Sequence, residues 1–122
     1  MSVACVTRRR RTRRRSTDAF RTVARDEAGV DFACHQGNDF QTTDGDWRRL
    51  GGVVKAFDAP GKFVAFPGYE WSGNTPAGGD WNVIYNAHDQ PIYRSSHWLT
   101  GEGEDALSPA HPVDQLFDRI RK

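Results

Sequence analysis

Short apolar segments alternate with longer amphipathic ones through the middle of this chain, and this alternation restricts the possible folds more than any other feature. Residues 30–34 and 63–66 are mostly apolar and rich in β-forming side chains, which predicts two buried strands. The segment between them predicts a helix over residues 44–57, capped by Thr43 or Asp44. Its apolar side chains recur at helical spacing: Trp47, Leu50, Val54 and Phe57. The order strand, helix, strand is typical of parallel βα units.

Local signals predict three further elements. Ser16-Thr17-Asp18 offer capping oxygens to a first helix, which Gly29 ends. Residues 81–85 predict a third strand, and residues 112–121 predict a last helix with one apolar face. These strands are too few to close a barrel, and no strand follows the last helix. We therefore expect residues 16–122 to be an incomplete fragment of an α/β domain, truncated before its later strands.

The basic charge of the chain is concentrated at its N-terminus. Residues 1–15 contain seven Arg and no acidic residue, whereas the remainder carries 10 basic and 16 acidic residues, a net charge of −6. Self-repulsion predicts that this Arg-rich arm is disordered. The arm either contacts nucleic acid through Arg8–Arg15 or is a solvated tail, which a wrongly chosen start codon would also produce. The tail is the favoured interpretation, because no aromatic side chains interleave the arginines.

Composition favours an intracellular chain with no membrane partner. Hydrophobic residues make up 37% of the sequence, and no apolar run approaches the roughly 20 residues of a transmembrane helix. No apolar stretch follows the N-terminal arginines, which predicts that they are not part of a secretory signal. Cys5 and Cys34 are too few for a disulfide framework, which favours a reducing compartment. We expect the protein to be cytoplasmic.

Polar residues that follow the two predicted strands are the candidates for chemistry. Glu70 lies two residues after Gly68, between two aromatic residues, where a carboxylate is costly unless it is paired or bound to a metal. It is a candidate metal ligand or general base, or alternatively a loop carboxylate on a hydrogen-bonded turn. His35 and Asp39 lie in a polar turn after the other strand, and parallel strands would bring them near Glu70. One imidazole and two carboxylates form a plausible ligand set for Zn, Mn or Fe.

Other motifs give weaker signals. Asp80 ends a Gly-rich loop, residues 72–79, that lacks the Gly-Lys-Ser/Thr end of a phosphate-binding loop. No Gly-x-Ser-x-Gly elbow is present, and Cys34 has only its neighbour His35 as a base, which disfavours covalent catalysis. Three further histidines have no ligand spacing and are expected on the surface: His88, His97 and His111.

The segment Gly68-Tyr69-Glu70-Trp71-Ser72-Gly73-Asn74-Thr75 is the most specific motif of the chain. Four other segments accompany it: residues 24–33, 60–64, 78–83 and 91–97. On these residues, the stretch from Asp18 to about Leu99 resembles the bacterial domain-of-unknown-function family 3604. That family is similar to the PHP (polymerase and histidinol phosphatase) metallohydrolases.

The resemblance implies a distorted (β/α) barrel with a metal cluster at the carboxyl ends of its strands, where activated water attacks a phosphoester. Glu70 falls on the carboxylate that bridges the metals. The segment Gly37-Asn38-Asp39, of which Gly37 supplies no ligand, falls where many relatives carry an Asp-His pair, and Asp80 falls near a position that is often His. The resemblance thus implies these four residues as metal ligands, with His35 as a substitute ligand. The first strand of the family, with its His-x-His ligands, has no counterpart here.

Two hypotheses of different kinds follow. The first is a fragment of a metal-dependent, phosphoesterase-like hydrolase with Glu70 as its catalytic residue and Zn, Mn or Fe as its cofactor. Such a fragment would act on a small-molecule or phosphoester substrate only within a longer parent chain. The alternative is a non-catalytic module that binds nucleic acid through the Arg-rich arm, or an inactive truncated product. Binding through the arm would weaken steeply with ionic strength.

Overall fold

The computed structural model describes residues 19–73, 78–100 and 110–121, so the Arg-rich arm and the caps expected at residues 16–18 lie outside the described residues. The elements in chain order are a π-helix Ala19–Glu27, β1 Phe32–Cys34, β2 Gly37–Asn38, a 3₁₀ turn Asp39–Gln41, α1 Asp44–Phe57, β3 Val64–Phe66, β4 Gly68–Ser72, β5 Asp80–Ile84 and α2 Val113–Ile120. None of the described helices is both long enough and apolar enough to cross a membrane.

Helix α1 has the bounds that its sequence predicts. The Thr43 hydroxyl accepts a hydrogen bond from the backbone amide of Asp46 at 3.0 Å, which caps the first turn. Three of the four expected apolar side chains, Trp47, Val54 and Phe57, are buried, and Leu50 packs against them from a half-buried position. The helix is therefore fixed by its cap and its apolar stripe, despite two glycines in its middle.

Strands β1 and β3, which precede and follow α1 in the chain, pair with each other in parallel. This pairing confirms a βα unit in this part of the chain. Each residue of β1 pairs with the residue 32 positions later, from Phe32 with Val64 to Cys34 with Phe66. Both strands begin later than their apolar segments do. One apolar cluster, which includes Val54, Phe57 and Phe63, packs between this pair and α1.

The parallel pairing continues into a second sheet after a short interruption. Strand β2 pairs with β4 at the same spacing of 32 residues, with Asn38 opposite Glu70. The hydrogen-bond ladder is interrupted between the two sheets. Pro67 lies at this point, between β3 and β4, and has no backbone N–H to donate. The polar turn expected around residues 35–39 is therefore wrong in part, because Gly37–Asn38 form a short strand within it.

Strand β4 is the main departure from the predicted organisation. Glu70 was expected in a loop after a strand that ends near Phe66, but it occupies the centre of β4. The aromatic side chains of Tyr69 and Trp71 are buried while Glu70 and Ser72 are half-buried, and this alternation is typical of a strand with one covered face. Strand β5 pairs with β4 in antiparallel orientation, so the fold is mixed α/β. The described residues form no closed barrel.

Helix α2 covers one face of the second sheet. Leu116 is completely buried in an apolar cluster with Tyr69, Trp71 and Val83, and Phe117 meets Trp81 edge to face at 5.1 Å between ring centroids. The last helix thus packs against the strands that precede it. The expected truncation before later strands stays a prediction.

Candidate functional site

Five polar residues share the face of the second sheet that is opposite α2. Strand pairing aligns Asn38, Glu70 and Asn82 in one row across β2, β4 and β5, and aligns Ser72 with Asp80 in the next row. Directly opposed side chains in a sheet lie on the same face, with Cβ atoms about 5 Å apart. We call these five residues the polar face.

Glu70 is held in place by neutral donors. The Asn38 side-chain amide donates to Glu70 Oε1 at 2.8 Å and to Ser72 Oγ at 3.0 Å. The Ser72 hydroxyl lies 3.3 Å from the same Glu70 oxygen, to which it also donates. Within the described residues, no hydrogen bond reaches the second carboxylate oxygen, Oε2. One oxygen of Glu70 is therefore fixed by Asn38 and Ser72, and the described residues leave the other without a hydrogen bond.

The polar face carries negative charge without a basic neighbour. No Lys, Arg or His among the described residues forms an ion pair with Glu70 or Asp80. Glu70 is half-buried and Asp80 is exposed. Because a half-buried carboxylate is less well solvated than one in water, its charge favours the approach of a cation.

Asp39 lies next to the polar face, but its carboxylate turns into the protein. The side chain is 0% exposed. Its Oδ1 accepts a hydrogen bond from the backbone amide of Ser72 at 3.0 Å, and its Oδ2 accepts one from the backbone amide of Ser95. The metal-ligand role expected for Asp39 remains a prediction, and it has to compete with these two bonds.

His35 lies where the parallel ladder is interrupted. Its Nδ1 accepts a hydrogen bond from the backbone amide of Gly37 at 3.2 Å. Burial lowers the pKa of the imidazole below its ordinary value, and a hydrogen bond with the Gly68 backbone opposes this effect more weakly. A neutral His35 therefore joins the two chain segments at the interruption, and its role as a metal ligand remains a prediction.

The fit of a metal depends on which donors lie together. Within the described residues, no three His, Cys, Asp or Glu side chains form a group that could hold a metal ion. The polar face instead offers two carboxylates, from Glu70 and Asp80, with the neutral oxygens of two Asn and one Ser around them. An all-oxygen set suits hard cations, which among the three expected metals favours Mn²⁺. These residues fit one side of such a site.

Sequence reasoning missed two members of the polar face, Ser72 and Asn82. Each lies two residues after another polar residue of its strand, Ser72 after Glu70 and Asn82 after Asp80, and this period of two was the available signal. Asn38 and Asp80, which were singled out, do join Glu70 on this face. The structure therefore brings three of the five expected site residues together, and leaves His35 and Asp39 directed at backbone groups.

The surface position expected for His111 is wrong. His111 is only 6% exposed, and its carbonyl accepts a hydrogen bond from Trp71 Nε1 at 3.1 Å. Its ring meets Tyr93 edge to face. The other two histidines are partly buried: His88 lies 3.9 Å from Asp58, and His97 Nδ1 lies 3.4 Å from the Thr100 hydroxyl.

Comparison with known families identifies the chain. A family model described as "Protein of unknown function (DUF3604)" matches residues 3–106. Because the match covers most of the 122 residues, the chain belongs to this family. No curated protein and no solved structure matches the chain.

Proposed function

We propose that this chain is part of a metal-dependent, phosphoesterase-like hydrolase, and that Glu70 is a ligand of its divalent cation. One observation carries the proposal: a half-buried carboxylate is fixed by neutral donors, with no cationic partner in the described part of the chain. The Gly68–Thr75 motif resembles family 3604, and the similarity of that family to the PHP metallohydrolases supports the class of reaction. The proposal includes a parent fold of the PHP barrel type, for which the parallel β1–α1–β3 unit is the support.

Electrostatics link the polar face to a cation. A phosphoester is anionic, and Glu70 and Asp80 would repel it, because no basic side chain of the described residues pairs with either. When bound, a divalent cation supplies the positive charge that the phosphoester requires and makes water a better nucleophile. The polar face is therefore suited to a phosphoester only with a metal in place.

The protein residues have separate tasks in this arrangement. Asn38 and Ser72 hold Oε1 of Glu70, and Oε2, which accepts no hydrogen bond from the described residues, would be the oxygen that holds the cation. Asp80, across the strand pair from Ser72, adds a second negative charge to the same face. The apolar face beneath, with Tyr69 and Trp71 buried, keeps the strand that carries Glu70 rigid. Zinc and iron sites commonly include the nitrogen or sulfur donors that this face does not offer, whereas oxygen donors suit Mn²⁺, so Mn²⁺ is the metal we propose.

A titration with Mn²⁺ tests the proposal directly. We expect the chain to bind Mn²⁺, and we expect Glu70→Gln, which keeps the shape of the side chain and removes its charge, to weaken binding at least about tenfold. Asp89→Asn is the matched control. It also removes one negative charge, from a side chain that is 79% exposed, and asparagine tolerates the left-handed backbone at this position (φ 59°). Equal affinity of the Glu70 variant and the wild type by calorimetry would remove Glu70 from the site.

A further inference from the structure

Asp39 is the most deeply buried charged side chain near the polar face. It begins the 3₁₀ turn that follows β2 and has no exposed surface. No basic side chain of the described ranges forms an ion pair with it. A buried carboxylate without a counter-ion is unfavourable unless hydrogen bonds satisfy its oxygens. The hydrogen bonds that the Asp39 carboxylate accepts therefore have to account for its burial.

The two oxygens of Asp39 hold two distant segments of the chain. Oδ1 accepts the amide of Ser72, the last residue of β4, and Oδ2 accepts the amide of Ser95, which lies 56 positions after Asp39. Hydrogen bonds from backbone amides to a carboxylate are stronger than those to a neutral acceptor. Asp39 thus joins the end of β4 to the segment around Ser95.

A second buried charge holds the same segment through the neighbouring residue. Arg94 is 2% exposed, and its guanidinium donates to the carbonyl of Thr42 and to the carboxylate of Asp44. Two adjacent residues are therefore held by charged groups of opposite sign. The positive guanidinium of Arg94 binds the start of α1, and the negative carboxylate of Asp39 binds the amide of Ser95. The segment is held at two neighbouring points against the turn that follows β2.

These contacts converge on Glu70. Asn38, which precedes Asp39, donates to both Glu70 and Ser72, and the Thr42 hydroxyl in turn donates to the carbonyl of Asn38. Asp39 fixes the backbone of Ser72, while Asn38 contacts the hydroxyl of the same residue. The position of Glu70 on β4 is set by this network, in which Asp39 joins Ser72 to Ser95. A second link between the same strand and segment runs from the Tyr93 amide to the Tyr69 hydroxyl at 3.2 Å.

We propose that Asp39 is a positioning residue of the candidate site, whose carboxylate clamps β4 and the Ser95 segment around Glu70, and that it is not a metal ligand. The clamp itself stands on the two hydrogen bonds, whereas the positioning role rests on the metal site proposed for Glu70. A ligand role would require a cation to reach a carboxylate that has no exposed surface and whose two oxygens each already accept a backbone amide.

Hydrogen-bond couplings in the wild-type chain test the clamp without any mutation. In a long-range HNCO experiment on isotope-labelled protein, we expect cross-peaks from the amides of Ser72 and Ser95 to the side-chain carbonyl carbon of Asp39. The bond from the Tyr85 amide to the Pro67 carbonyl, at 2.9 Å, is an internal reference of ordinary strength. If both Asp39 cross-peaks are absent from a spectrum that shows the Tyr85–Pro67 cross-peak, the clamp is overturned.

Added Mg²⁺, a diamagnetic substitute for Mn²⁺, distinguishes the clamp from a ligand. Saturation with Mg²⁺ should shift the resonances of Glu70 and leave both Asp39 cross-peaks in place. Disappearance of either cross-peak on saturation would make Asp39 a ligand and overturn the proposal. If no resonance of the polar face responds to Mg²⁺ or Mn²⁺, the proposed metal site fails, the positioning role fails with it, and the clamp is judged by the couplings alone.

Two substitutions of Asp39 remove its acceptor oxygens in steps. Asp39→Asn keeps one acceptor oxygen and Asp39→Ala keeps none, so amide exchange at Ser72 and Ser95 should accelerate more in the Ala variant, by at least tenfold relative to wild type. Mn²⁺ should bind the Asn variant more weakly but with unchanged stoichiometry, because the ligands remain. Asp89→Asn is again the surface control. Unchanged exchange at both amides in the Asn variant, or a lost Mn²⁺ equivalent, contradicts the proposal.

Discussion

Two regions of this molecule use the same strand pairing for different purposes. In the β1–α1–β3 unit the paired strands and the helix enclose an apolar cluster around Val54 and Phe63. In the β2–β4–β5 sheet the same two chain segments continue at the same spacing, and an apolar cluster that includes Leu116 of α2 covers one face. The other face bears Glu70 and its polar neighbours. The difference shows that backbone register is continuous across both regions, while the side-chain pattern determines which region is core and which is candidate site.

The junction between the regions has its own requirements. Pro67 interrupts the ladder, and Gly68 allows the strands to approach closely, because a Cβ there would lie 2.5 Å from Cys34 Sγ and 2.6 Å from the Val83 carbonyl oxygen. His35 joins the two segments at this point through its hydrogen bonds with the backbone of Gly37 and Gly68. The junction therefore transmits the register of the core unit to the sheet that carries Glu70.

The largest effect is expected in the core unit. Phe63 is 1% exposed, whereas the adjacent Val64 is 40% exposed. Phe63→Ala should lower the free energy of unfolding by about 4 kcal/mol, because it removes a large buried ring and leaves a cavity. Val64→Ala should cost less than about 1 kcal/mol. Chemical denaturation measures both, and a similar loss in the two variants would contradict the division between core and surface at the start of β3.

Two glycine substitutions should change the stability of the protein in opposite directions. Gly68→Ala forces a Cβ against a backbone oxygen and should destabilise the protein by about 1–3 kcal/mol. Gly52→Ala lies on the exposed side of α1 with no atom near its new Cβ, and should stabilise the helix by up to about 1 kcal/mol. Thermal unfolding of both variants tests the junction, and a stabilising Gly68→Ala would show that the strands do not approach closely there.

The junction should also respond to pH through His35. Its pKa in the folded protein is lowered from 6.5, so the unfolded chain binds the proton more readily. Stability contributed by neutral His35 is therefore fully present above about pH 6.5 and is lost as the pH falls below it. We expect the melting temperature of the wild type to fall more steeply on acidification than that of His35→Asn, whose side-chain oxygen replaces Nδ1 as acceptor. Parallel pH profiles of the two proteins would refute this role.

The smallest effect is expected from the Arg-rich arm. Deletion of residues 1–15 should leave Mn²⁺ affinity unchanged, because the residues of the polar face are all retained. Calorimetry on the shortened chain checks this expectation. Lost Mn²⁺ binding would contradict the view of the arm as a tail. Binding of a nucleic acid by the full chain that weakens steeply with salt, and disappears on deletion, would favour the alternative function.

Sequence patterns predicted α1 well and the polar face only in part. The cap at Thr43 and the stripe that includes Val54 are local signals, and the helix follows them residue by residue. Strand β2 has two residues, too few to show a period, and its existence depends on pairing with β4. Glu70 was identified from its aromatic neighbours, but the same neighbours were the evidence for a strand with alternating faces.

The role of Asp39 could not be read from the sequence at all. An acidic residue in a polar turn is ordinarily exposed, and nothing local distinguishes one that is buried. Its partners, the amides of Ser72 and Ser95, are 33 and 56 residues away. Such tertiary hydrogen bonds decide whether a carboxylate faces a ligand or the backbone, and only the folded arrangement reveals them.

Paramagnetic broadening by Mn²⁺ tests the central claim most directly, because it shows both whether the metal binds and where. In an amide correlation spectrum of the labelled chain, substoichiometric Mn²⁺ should first broaden the signals of Asn38, Glu70 and Asn82, which share one row of the polar face. Signals of the core unit around Val54 should persist. Broadening that centres elsewhere, or is absent at saturating Mn²⁺, would contradict a metal site on this face.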